Sequence, residues 1–268
     1  MKNKVVLITG GSSGIGKTTG IYLSSQGMKV YGTTRSLEKY SDFDHFTLLE
    51  LDVKKPETIQ KAIDHIVSEE GSLDVLINNA GVGITGPIEE TPIEEINKVF
   101  DINLNGPIRM IQAVLPYMRK QGNGLIVNIT SIAGYMGLPF RGIYSATKGG
   151  LELVTETLRM ETRSYGVKVV NLAPGDFATN IASGRYHAPI LKDSPYKAYG
   201  KALESINEDV ETAQDPILVA KRIYTIIGSK NPKGHYLVGT FMQRFSVFLK
   251  KIVPDKVFEK LLLKHYKL

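Results

Sequence analysis

The stretch KVVLITGGSSGIG, residues 4 to 16, decides the fold of this chain. Its first six residues are mostly apolar and rich in β-branched side chains, which is typical of a strand buried on both faces of a sheet. Gly10, Gly14 and Gly16 follow, and a segment with helical periodicity then runs to about Gln26. Glycines allow a backbone to approach a phosphate closely, and a helix N-terminus offers unpaired N–H groups to an anion. A strand, this loop and a helix in that order indicate a site for a dinucleotide.

The rest of the chain continues the alternation of strands and helices. Further strands are predicted at residues 29–34, 45–53, 73–81, 125–130 and 167–175, and further helices from residue 56 onward, over about 92–120 and over about 144–164. Such a pattern forms a parallel sheet with helices on both faces, and ligands bind at the carboxyl ends of its strands. We therefore expect an α/β protein, a single Rossmann-fold domain over residues 1–240 with a doubly wound parallel sheet. Residues 176–210 show no clear periodicity, which favours a substrate loop.

The composition excludes several kinds of chemistry. A chain of 268 residues with 42% hydrophobic content can bury one large core. It contains no cysteine, which excludes a disulfide, a thiolate zinc site and a cysteine nucleophile. The histidines are scattered without ligand spacing, so no metal site is predicted: His45, His65, His187, His235 and His265. The apolar run near the N-terminus is too short for a signal peptide and no run approaches the roughly 20 residues of a membrane span, so we expect a soluble, cytoplasmic protein.

The end of the second strand indicates which dinucleotide is bound. A site for NAD usually has Asp or Glu there, about 20 residues beyond the glycines, to accept a hydrogen bond from the ribose 2′-hydroxyl. This chain reads Gly32-Thr33-Thr34-Arg35-Ser36 at that place, without a carboxylate. The planar guanidinium of Arg35 can grip a 2′-phosphate, and Thr33 or Thr34 can add a hydroxyl. We therefore predict NADP(H) as the cofactor.

A second motif, SIAGYMGLPFRGIYSATKGG at residues 131–150, sets Tyr144 four residues before Lys148 and thirteen after Ser131. A free phenol has a pKa of about 10 and is a poor acid or base at neutral pH unless a cation stands beside it. Lys148 can be that cation. On a helix, a tyrosine and a lysine at this spacing are also ordinary surface neighbours, so the pair alone does not decide between the two interpretations.

Together, these motifs resemble those of the short-chain dehydrogenase/reductase family. The matching segments, in the family's order over about residues 1 to 180, are TGGSSGIG (9–16), Asp52, NNAG (78–81), INLNG with Asn103, Ser131, YSATK with Tyr144 and Lys148, and PGDFAT (174–179). The resemblance implies a sheet with the strand order 3-2-1-4-5-6-7. It also implies an oxidoreductase that transfers a hydride between NADP(H) and a carbonyl or alcohol, with reduction of a ketone or aldehyde as the expected direction.

The resemblance implies catalytic roles for four residues. Tyr144 would act as the general acid in reduction and the general base in oxidation. Lys148 would hold the nicotinamide ribose, and its charge would lower the pKa of Tyr144. Ser131 would polarise the substrate carbonyl, and Asn103 would anchor a water molecule that links Lys148 to solvent.

The resemblance also implies which residues contact the cofactor. The glycine-loop contacts are Gly10, Ser12, Ser13, Gly14, Ile15 and Gly16; those on the adenosine side are Arg35, Asp52, Val53, Asn79, Ala80 and Gly81; those at the nicotinamide end are Tyr144, Lys148, Pro174, Gly175 and Thr179. A structural role stays open for some of them. Asn78 and Asn79 could merely tie strands together, and Pro174 and Gly175 could merely turn the chain.

Apolar side chains near the catalytic motif point to the kind of substrate. The run GYMGLPF between Ser131 and Tyr144 is similar to that of hydroxysteroid and retinol dehydrogenases in the same family. This run and the 176–210 segment would suit a steroid, retinoid or lipid-like ketone. The residues are Met136, Leu138, Pro139, Phe140, Tyr186, His187, Pro189, Ile190, Leu191, Tyr196 and Tyr199. The alternative, that they only pack the loop, stays open.

Residues 241–268 form a basic extension with amphipathic helical pattern. Seven basic and two acidic side chains in it carry most of the net charge of +6, whereas the body has no basic stripe that would suit nucleic acid. One apolar face comprises Phe241, Phe245, Phe248, Leu249 and Ile252, and another, after Pro254, comprises Val257, Phe258, Leu261, Leu262 and His265. The extension could close over the substrate cleft, pair in a homodimer or homotetramer, lie on an anionic membrane surface, or pack on its own domain.

Two other functions stay open at this point. A 3-oxoacyl-carrier-protein reductase has the same fold, but such chains usually end near the seventh strand, here around residues 236–239, so the extension argues against it. The other is a non-catalytic NADP(H)-binding redox sensor. It would have no need of Asn103, Ser131, Tyr144 and Lys148 together.

Overall fold

The computed structural model describes residues 2–178, 184–211 and 214–268. Within them the strands are β1 (Val5–Ile8), β2 (Lys29–Thr34), β3 (Thr47–Glu50), β4 (Val75–Asn78), β5 (Ile84–Thr85), β6 (Gly124–Ile129), β7 (Val167–Pro174), β8 (Tyr186–His187) and β9 (His235–Val238). The α-helices are α1 (Gly14–Ser25), α2 (Pro56–Glu70), α3 (Ile93–Phe100), α4 (Gly106–Gln121), α5 (Gly142–Glu161), α6 (Tyr199–Glu211), α7 (Ile217–Ile227), α8 (Phe241–Ile252) and α9 (Asp255–His265).

The main sheet contains seven parallel strands in the order β3-β2-β1-β4-β6-β7-β9. Counted along this sheet, the order is 3-2-1-4-5-6-7, so the predicted doubly wound fold is confirmed. The sequence did not predict a second, smaller sheet, in which β5 pairs in parallel with β8. This pairing places residues 184–187 over the loop that follows β4.

The core lies in two layers, one on each face of the main sheet. Side chains alternate along β1, so Val5 and Leu7 belong to the layer under α2 and α4, whereas Val6 and Ile8 belong to the layer under α1 and α7. All four are at most 3% exposed. Burial of such side chains stabilises a fold by about 25 cal/mol per Å² of apolar surface. The packing holds the carboxyl ends of the strands, and therefore the loops that follow them, in fixed positions.

The helix predicted over residues 92–120 is interrupted in the structure. Helix α3 ends at Phe100, a π-helical turn covers Asp101–Asn105, and α4 then begins. Pro107 lacks an N–H and cannot donate the usual hydrogen bond to the carbonyl four residues before it, that of Asn103. Single π turns of this kind often occur at functional sites.

The segment without clear periodicity, residues 176–210, contains regular structure that the sequence analysis missed. Besides β8 it contains α6, which begins at Tyr199. The described buried side chains of α6 are Tyr199, Ala202, Ser205 and Ile206, so a small and a polar residue stand between the two large ones in its apolar stripe. Tyr199 is 2% exposed and its ring lies 5.2 Å, centroid to centroid, from that of Phe140. Helix α6 thereby packs beside the loop that precedes α5.

Helices α8 and α9 pack on the domain by one face each. Helix α8 begins with a capping box, in which Thr240 Oγ1 accepts from the Gln243 N–H at 3.3 Å and Gln243 Oε1 accepts from the Thr240 N–H at 3.1 Å. Val247 of α8 and Phe258 of α9 are buried in one apolar cluster with Ile132. In the part of the chain that the structure describes, no helix is both long and apolar enough to cross a membrane.

The apolar face that the sequence marks on α8 points away from the domain. Phe241, Phe245, Phe248 and Ile252 are 69%, 38%, 57% and 59% exposed. The rings of Phe241 and Phe245 stack on each other with their centroids 5.7 Å apart. The contacts of α8 with the core are made by Val247, on the other side of the helix, and by Leu249, the one residue of the predicted apolar face that packs on the domain. The rest of the predicted apolar face of α8 is exposed, whereas that of α9 packs on the domain through Phe258 and Leu262.

Candidate active site

The loops that follow β1, β4, β6 and β7 meet at the carboxyl edge of the sheet and enclose two adjoining cavities. The inner pocket is lined by residues of these loops and of α5, among them Gly81, Ser131, Tyr144, Lys148, Pro174 and Gly175. The outer cleft is lined by the glycine loop and by the residues that follow β2 and β3. Ile15, Asn79 and Gly81 line both cavities, so a single elongated ligand can occupy the two.

Tyr144 and Lys148 lie one turn apart on α5 and both line the inner pocket. Their exposed fractions are only 9% and 4%, and Lys148 Nζ lies 5.9 Å from the centroid of the Tyr144 ring. Lys148 Nζ also donates to the backbone carbonyl of Ile129 at 2.9 Å. Because burial disfavours the charged form, the pKa of Lys148 is lowered to about 8. Lys148 is therefore still mainly charged at neutral pH.

The pKa of Tyr144 is raised above its ordinary value, mainly by burial. Three groups oppose this effect: the charge of Arg141, a hydrogen bond with Ser131 and the charge of Arg185. The two arginines are thus the cations that lower the pKa, a role that the resemblance assigned to Lys148. Because burial outweighs them, Tyr144 keeps its proton at neutral pH. It is in the form required of a proton donor.

Asn103 lies in the π turn and is completely buried. Its Oδ1 accepts from the Val82 N–H at 2.8 Å, and its Nδ2 donates to the Val82 carbonyl at 2.9 Å and to Thr147 Oγ1 at 3.3 Å. A Cβ on Gly81 would lie 3.3 Å from Asn103 Oδ1 and 3.5 Å from Lys148 Nζ. The amide therefore fixes the loop after β4 beside Lys148. The water-anchoring role stays a prediction.

The glycine loop has no room for side chains at its closest approach. Gly10 has a φ of +66°, in the left-handed region that favours glycine. A Cβ on Gly16 would lie 2.2 Å from the carbonyl oxygen of Gly10, so the helix and the loop can pack this closely only with glycine there. The backbone at the start of α1 is thereby free to face the outer cleft, as binding of a pyrophosphate requires.

The side chains of the two asparagines after β4 hold the structure together. Asn78 Nδ2 donates to Asn128 Oδ1 at 2.8 Å and so joins β4 to β6. Asn79 Nδ2 donates to the carbonyls of Thr9 and Gly10 at 2.9 and 3.2 Å, which ties the loop after β4 to the glycine loop. Both amides therefore have the structural role that the sequence left open, and Asn79 lines the cavities besides.

The far end of the outer cleft carries the arginine expected for a 2′-phosphate. Arg35 is exposed there, directly after β2. A turn of 3₁₀ helix brings Lys39 and Tyr40, which the sequence analysis did not select, to the same end. The hydroxyl of Thr33 is engaged elsewhere, because it accepts from the Gly10 N–H at 3.1 Å. An exposed guanidinium and a lysine, without a carboxylate at the end of β2, fit a phosphate rather than a free ribose hydroxyl.

Most of the predicted cofactor residues lie where a dinucleotide could contact them. The outer cleft is lined by Gly10, Ser12, Ser13, Gly14, Ile15, Arg35, Asp52, Val53, Asn79, Ala80 and Gly81. Pro174 and Gly175 line the inner pocket with Tyr144 and Lys148, whereas Gly16 contacts the back of the loop. Thr179 lies outside the described residues. The tightly packed glycine loop at one end of the outer cleft and the cations Arg35 and Lys39 at the other fit a phosphorylated dinucleotide such as NADP(H).

The inner pocket also contains charged residues that the sequence analysis did not select: Arg141, Asp176 and Arg185. Arg141 is close to the catalytic motif in sequence, three residues before Tyr144, but it precedes α5 and so helical spacing did not mark it. No local pattern could identify Arg185, which reaches the pocket only through the pairing of β5 with β8.

Comparisons with known proteins agree with this geometry. A family model described as short chain dehydrogenase matches residues 4–189. The chain is 36% identical to a 3-ketodihydrosphingosine reductase of Bacteroides thetaiotaomicron over 97% of its own length and 96% of that protein. It is 30% identical to an NADPH-dependent 3-dehydrocapnine reductase of Ornithobacterium rhinotracheale, over 98% of each. A short-chain dehydrogenase structure from Streptomyces avermitilis is 30% identical, with a TM-score of 0.84 over 100% of this chain and 97% of that one.

Proposed function

The chain belongs to the short-chain dehydrogenase family, and on that premise we propose that it uses NADPH to reduce the ketone or aldehyde group of an apolar, lipid-like substrate to an alcohol. The observation that carries the proposal is the buried phenol of Tyr144 beside Ser131 and Lys148 in one pocket. A protonated phenol and a serine hydroxyl on one side of a pocket can both donate to a carbonyl oxygen.

The chain's own residues would polarise the carbonyl and move the proton. NADPH would supply the hydride when bound, held by the glycine loop, Arg35 and Lys148. Ser131 Oγ and Tyr144 Oη would donate hydrogen bonds to the carbonyl oxygen, and Tyr144 would transfer its proton as negative charge develops there. The charges of Arg141 and Arg185 favour the tyrosinate that remains after the transfer.

Two independent observations support NADP(H) as the cofactor. The cleft ends in Arg35 and Lys39, and a guanidinium binds a phosphate through two parallel hydrogen bonds. A relative that is 30% identical over nearly the whole chain is named as NADPH-dependent.

The surroundings of Tyr144 support an apolar substrate. Its ring belongs to an apolar cluster with Ile84 and Ala133, against which Leu138 and Tyr186 pack. Ile84 also lines the inner pocket, together with Phe177. Two relatives, named for 3-ketodihydrosphingosine and 3-dehydrocapnine, support a ketone as the reacting group.

The rate at which the purified protein oxidises NADPH, measured against ketones of increasing alkyl chain length, tests this proposal. Burial of a methylene contributes about 0.8 kcal/mol, so each methylene that enters the site should raise kcat/KM roughly fourfold until the site is filled. A small ketone of the same reactivity is the matched control. Equal kcat/KM values for short and long chains would contradict the apolar site. NADPH binding without turnover of any carbonyl compound would favour the redox sensor.

Peripheral contact with an anionic membrane is the second part of the proposal, since a lipid-like substrate is taken up from such a surface. The exposed apolar face of α8, formed by Phe241, Phe245, Phe248 and Ile252, lies opposite the side that contacts the domain. Helix α8 contains Arg244, Lys250 and Lys251 and no acidic residue. On α9, exposed Val257 and Leu261 alternate with lysines 256, 260 and 264. Apolar side chains flanked by basic ones suit an anionic lipid surface.

Co-sedimentation with vesicles tests the membrane contact. The protein should bind vesicles of phosphatidylcholine with phosphatidylserine and bind those of phosphatidylcholine alone more weakly. Replacement of both Phe245 and Phe248 by Ser should lower the partition coefficient by at least about tenfold, since two aromatic rings no longer enter the interface. The matched control replaces Ile93 and Leu218, which are 59% and 42% exposed on other helices, by Ser. If the wild-type protein is a dimer that does not bind vesicles, and replacement of Phe245 and Phe248 by Ser makes it a monomer, a second copy of the chain covers this face and the membrane contact is wrong.

A further inference from the structure

Two arginines of the inner pocket act on Tyr144 through their charge, but the reaction described above assigns no ligand to their guanidinium groups. Arg141 immediately precedes α5, and its Cζ lies 5.6 Å from the centroid of the Tyr144 ring. Arg185 immediately precedes β8, which pairs with β5. A Cβ on Gly83 would lie 2.9 Å from both Cγ and Nε of Arg185, so this side chain lies directly along the backbone of that loop. Both guanidinium groups thereby border the place where the carbonyl must lie.

The charges of this pocket are not balanced. Among the described residues that line it, Arg141, Lys148 and Arg185 are cationic and Asp176 is acidic. The two arginines are close enough that the charge of Arg141, together with burial as the larger cause, lowers the pKa of Arg185. Holding like charges together in a partly buried pocket costs free energy that an anion would recover.

One donor of Arg185 has no acceptor in the described part of the chain. This donor is the buried Nη1. A buried donor that is left unpaired costs about 1–3 kcal/mol. The charge of Asp176 acts on both arginines, but its Oδ2 accepts a hydrogen bond from Gln243 Nε2 at 2.8 Å. An oxyanion in the pocket could accept a hydrogen bond from Nη1.

The C-terminal extension positions Arg141 and Asp176. Arg141 makes a hydrogen bond with Tyr266, which is 3% exposed at the end of α9. Gln243 of α8 holds Asp176, as described above. Helices α8 and α9 thus hold two residues that line the inner pocket, although no residue of these helices lines it.

From this arrangement we propose that Arg141 and Arg185 bind an anionic substituent of the substrate, a carboxylate, sulfonate or phosphate group located a few bonds from the carbonyl. The inference rests on the proposed carbonyl reduction and narrows its substrate class to an amphiphile with an apolar chain and an acidic head. Guanidinium forks bind oxyanions through paired hydrogen bonds. The pyrophosphate of the cofactor suits the two arginines less well than a substrate anion does. The glycine loop that would bind the pyrophosphate lines the outer cleft, whereas the arginines line the inner pocket.

A matched pair of ketones tests this inference: a long-chain 2-oxoalkylphosphonic acid and its dimethyl ester, which differ in charge and have the same alkyl chain. We expect wild-type kcat/KM to be about 10- to 100-fold higher for the acid, the range of a charge-assisted pair of hydrogen bonds. Arg141→Gln and Arg185→Gln should each lower the acid-to-ester ratio at least about tenfold. Lys201→Gln changes an exposed lysine of α6 and is the matched control, which should keep the wild-type ratio.

Direct binding separates this inference from the proposed function. In a Tyr144→Phe background loaded with NADPH, calorimetric titration with the phosphonic acid measures affinity without turnover. Introducing Arg141→Gln or Arg185→Gln into this Tyr144→Phe protein should raise the Kd of the phosphonic acid at least about tenfold. If the wild type reduces both ketones with equal kcat/KM, the proposed carbonyl reduction stands and the proposed anion site is wrong. An unchanged Kd in the arginine variants, or a loss of NADPH affinity equal to the loss of acid affinity, would also overturn it.

Discussion

Tyr144→Phe protein is expected to reduce carbonyl substrates about 1,000-fold more slowly than the wild type and to bind NADPH with nearly unchanged affinity. The phenylalanine ring keeps the packing of the buried tyrosine ring against Ile84 and Ala133. It lacks the hydroxyl that hydrogen-bonds to Ser131 and that donates the proton in the proposed reaction. General acid catalysis by a positioned side chain contributes about 10²- to 10⁴-fold to a rate, and this contribution disappears.

Steady-state NADPH oxidation and a fluorescence titration with NADPH measure the two quantities. Tyr31→Phe is the matched control, because Tyr31 is also buried, at 7% exposure, but it lines neither cavity and donates to Glu70, the last residue of α2. It should keep the wild-type rate. If Tyr144→Phe instead weakened NADPH binding as much as it slowed the reaction, Tyr144 would be a cofactor ligand and not the acid.

Arg35→Asp is expected to reverse the cofactor preference. The Kd for NADPH should rise about 100-fold, because the variant loses a charge-assisted pair of hydrogen bonds and places a carboxylate beside the 2′-phosphate. The Kd for NADH should stay the same or fall, since a carboxylate at the end of β2 can accept from a free ribose 2′-hydroxyl. Arg35 is exposed, so the substitution should leave the stability of the fold nearly unchanged.

Titrations of the variant with both cofactors, combined with thermal unfolding, provide the measurement. Arg163→Asp makes the same change of charge at an exposed site outside both cavities and is the matched control. A preference for NADPH that survives Arg35→Asp would mean that another cation of the cleft, Lys39 or Lys54, binds the phosphate.

Local sequence determined the sheet and the identity of the central site. Apolar runs separated by amphipathic segments predict parallel strands wherever they occur, and the family resemblance supplied the order in which they pair. The loop with Gly10 and Gly16 could be recognised because its steric requirement is local: positive φ at one glycine and close packing at the other. Tyr144 and Lys148 could be recognised because a helix brings residues four apart together.

Only the tertiary structure decided which distant residues enter the pocket. Arg141 and Arg185 are 44 positions apart, and the second reaches the first through the β5–β8 pairing, which rests on two residues in each strand. Strands this short have no recognisable periodicity. Likewise, α6 was not predicted within residues 176–210, because a small and a polar residue, Ala202 and Ser205, stand between its large buried side chains Tyr199 and Ile206.

The orientation of α8 also needed the three-dimensional structure. The sequence of this helix places apolar side chains on two sides, Val247 on one and Phe241, Phe245 and Phe248 on the other. Periodicity measures how side chains are distributed around a helix and contains no information about the surface on which the helix packs. The sequence by itself therefore determined that the tail is an amphipathic and basic pair of helices. Packing of Val247 and Phe258 against Ile132 decided that the phenylalanine face of α8 is exposed, because this contact is between segments more than 100 residues apart in the chain.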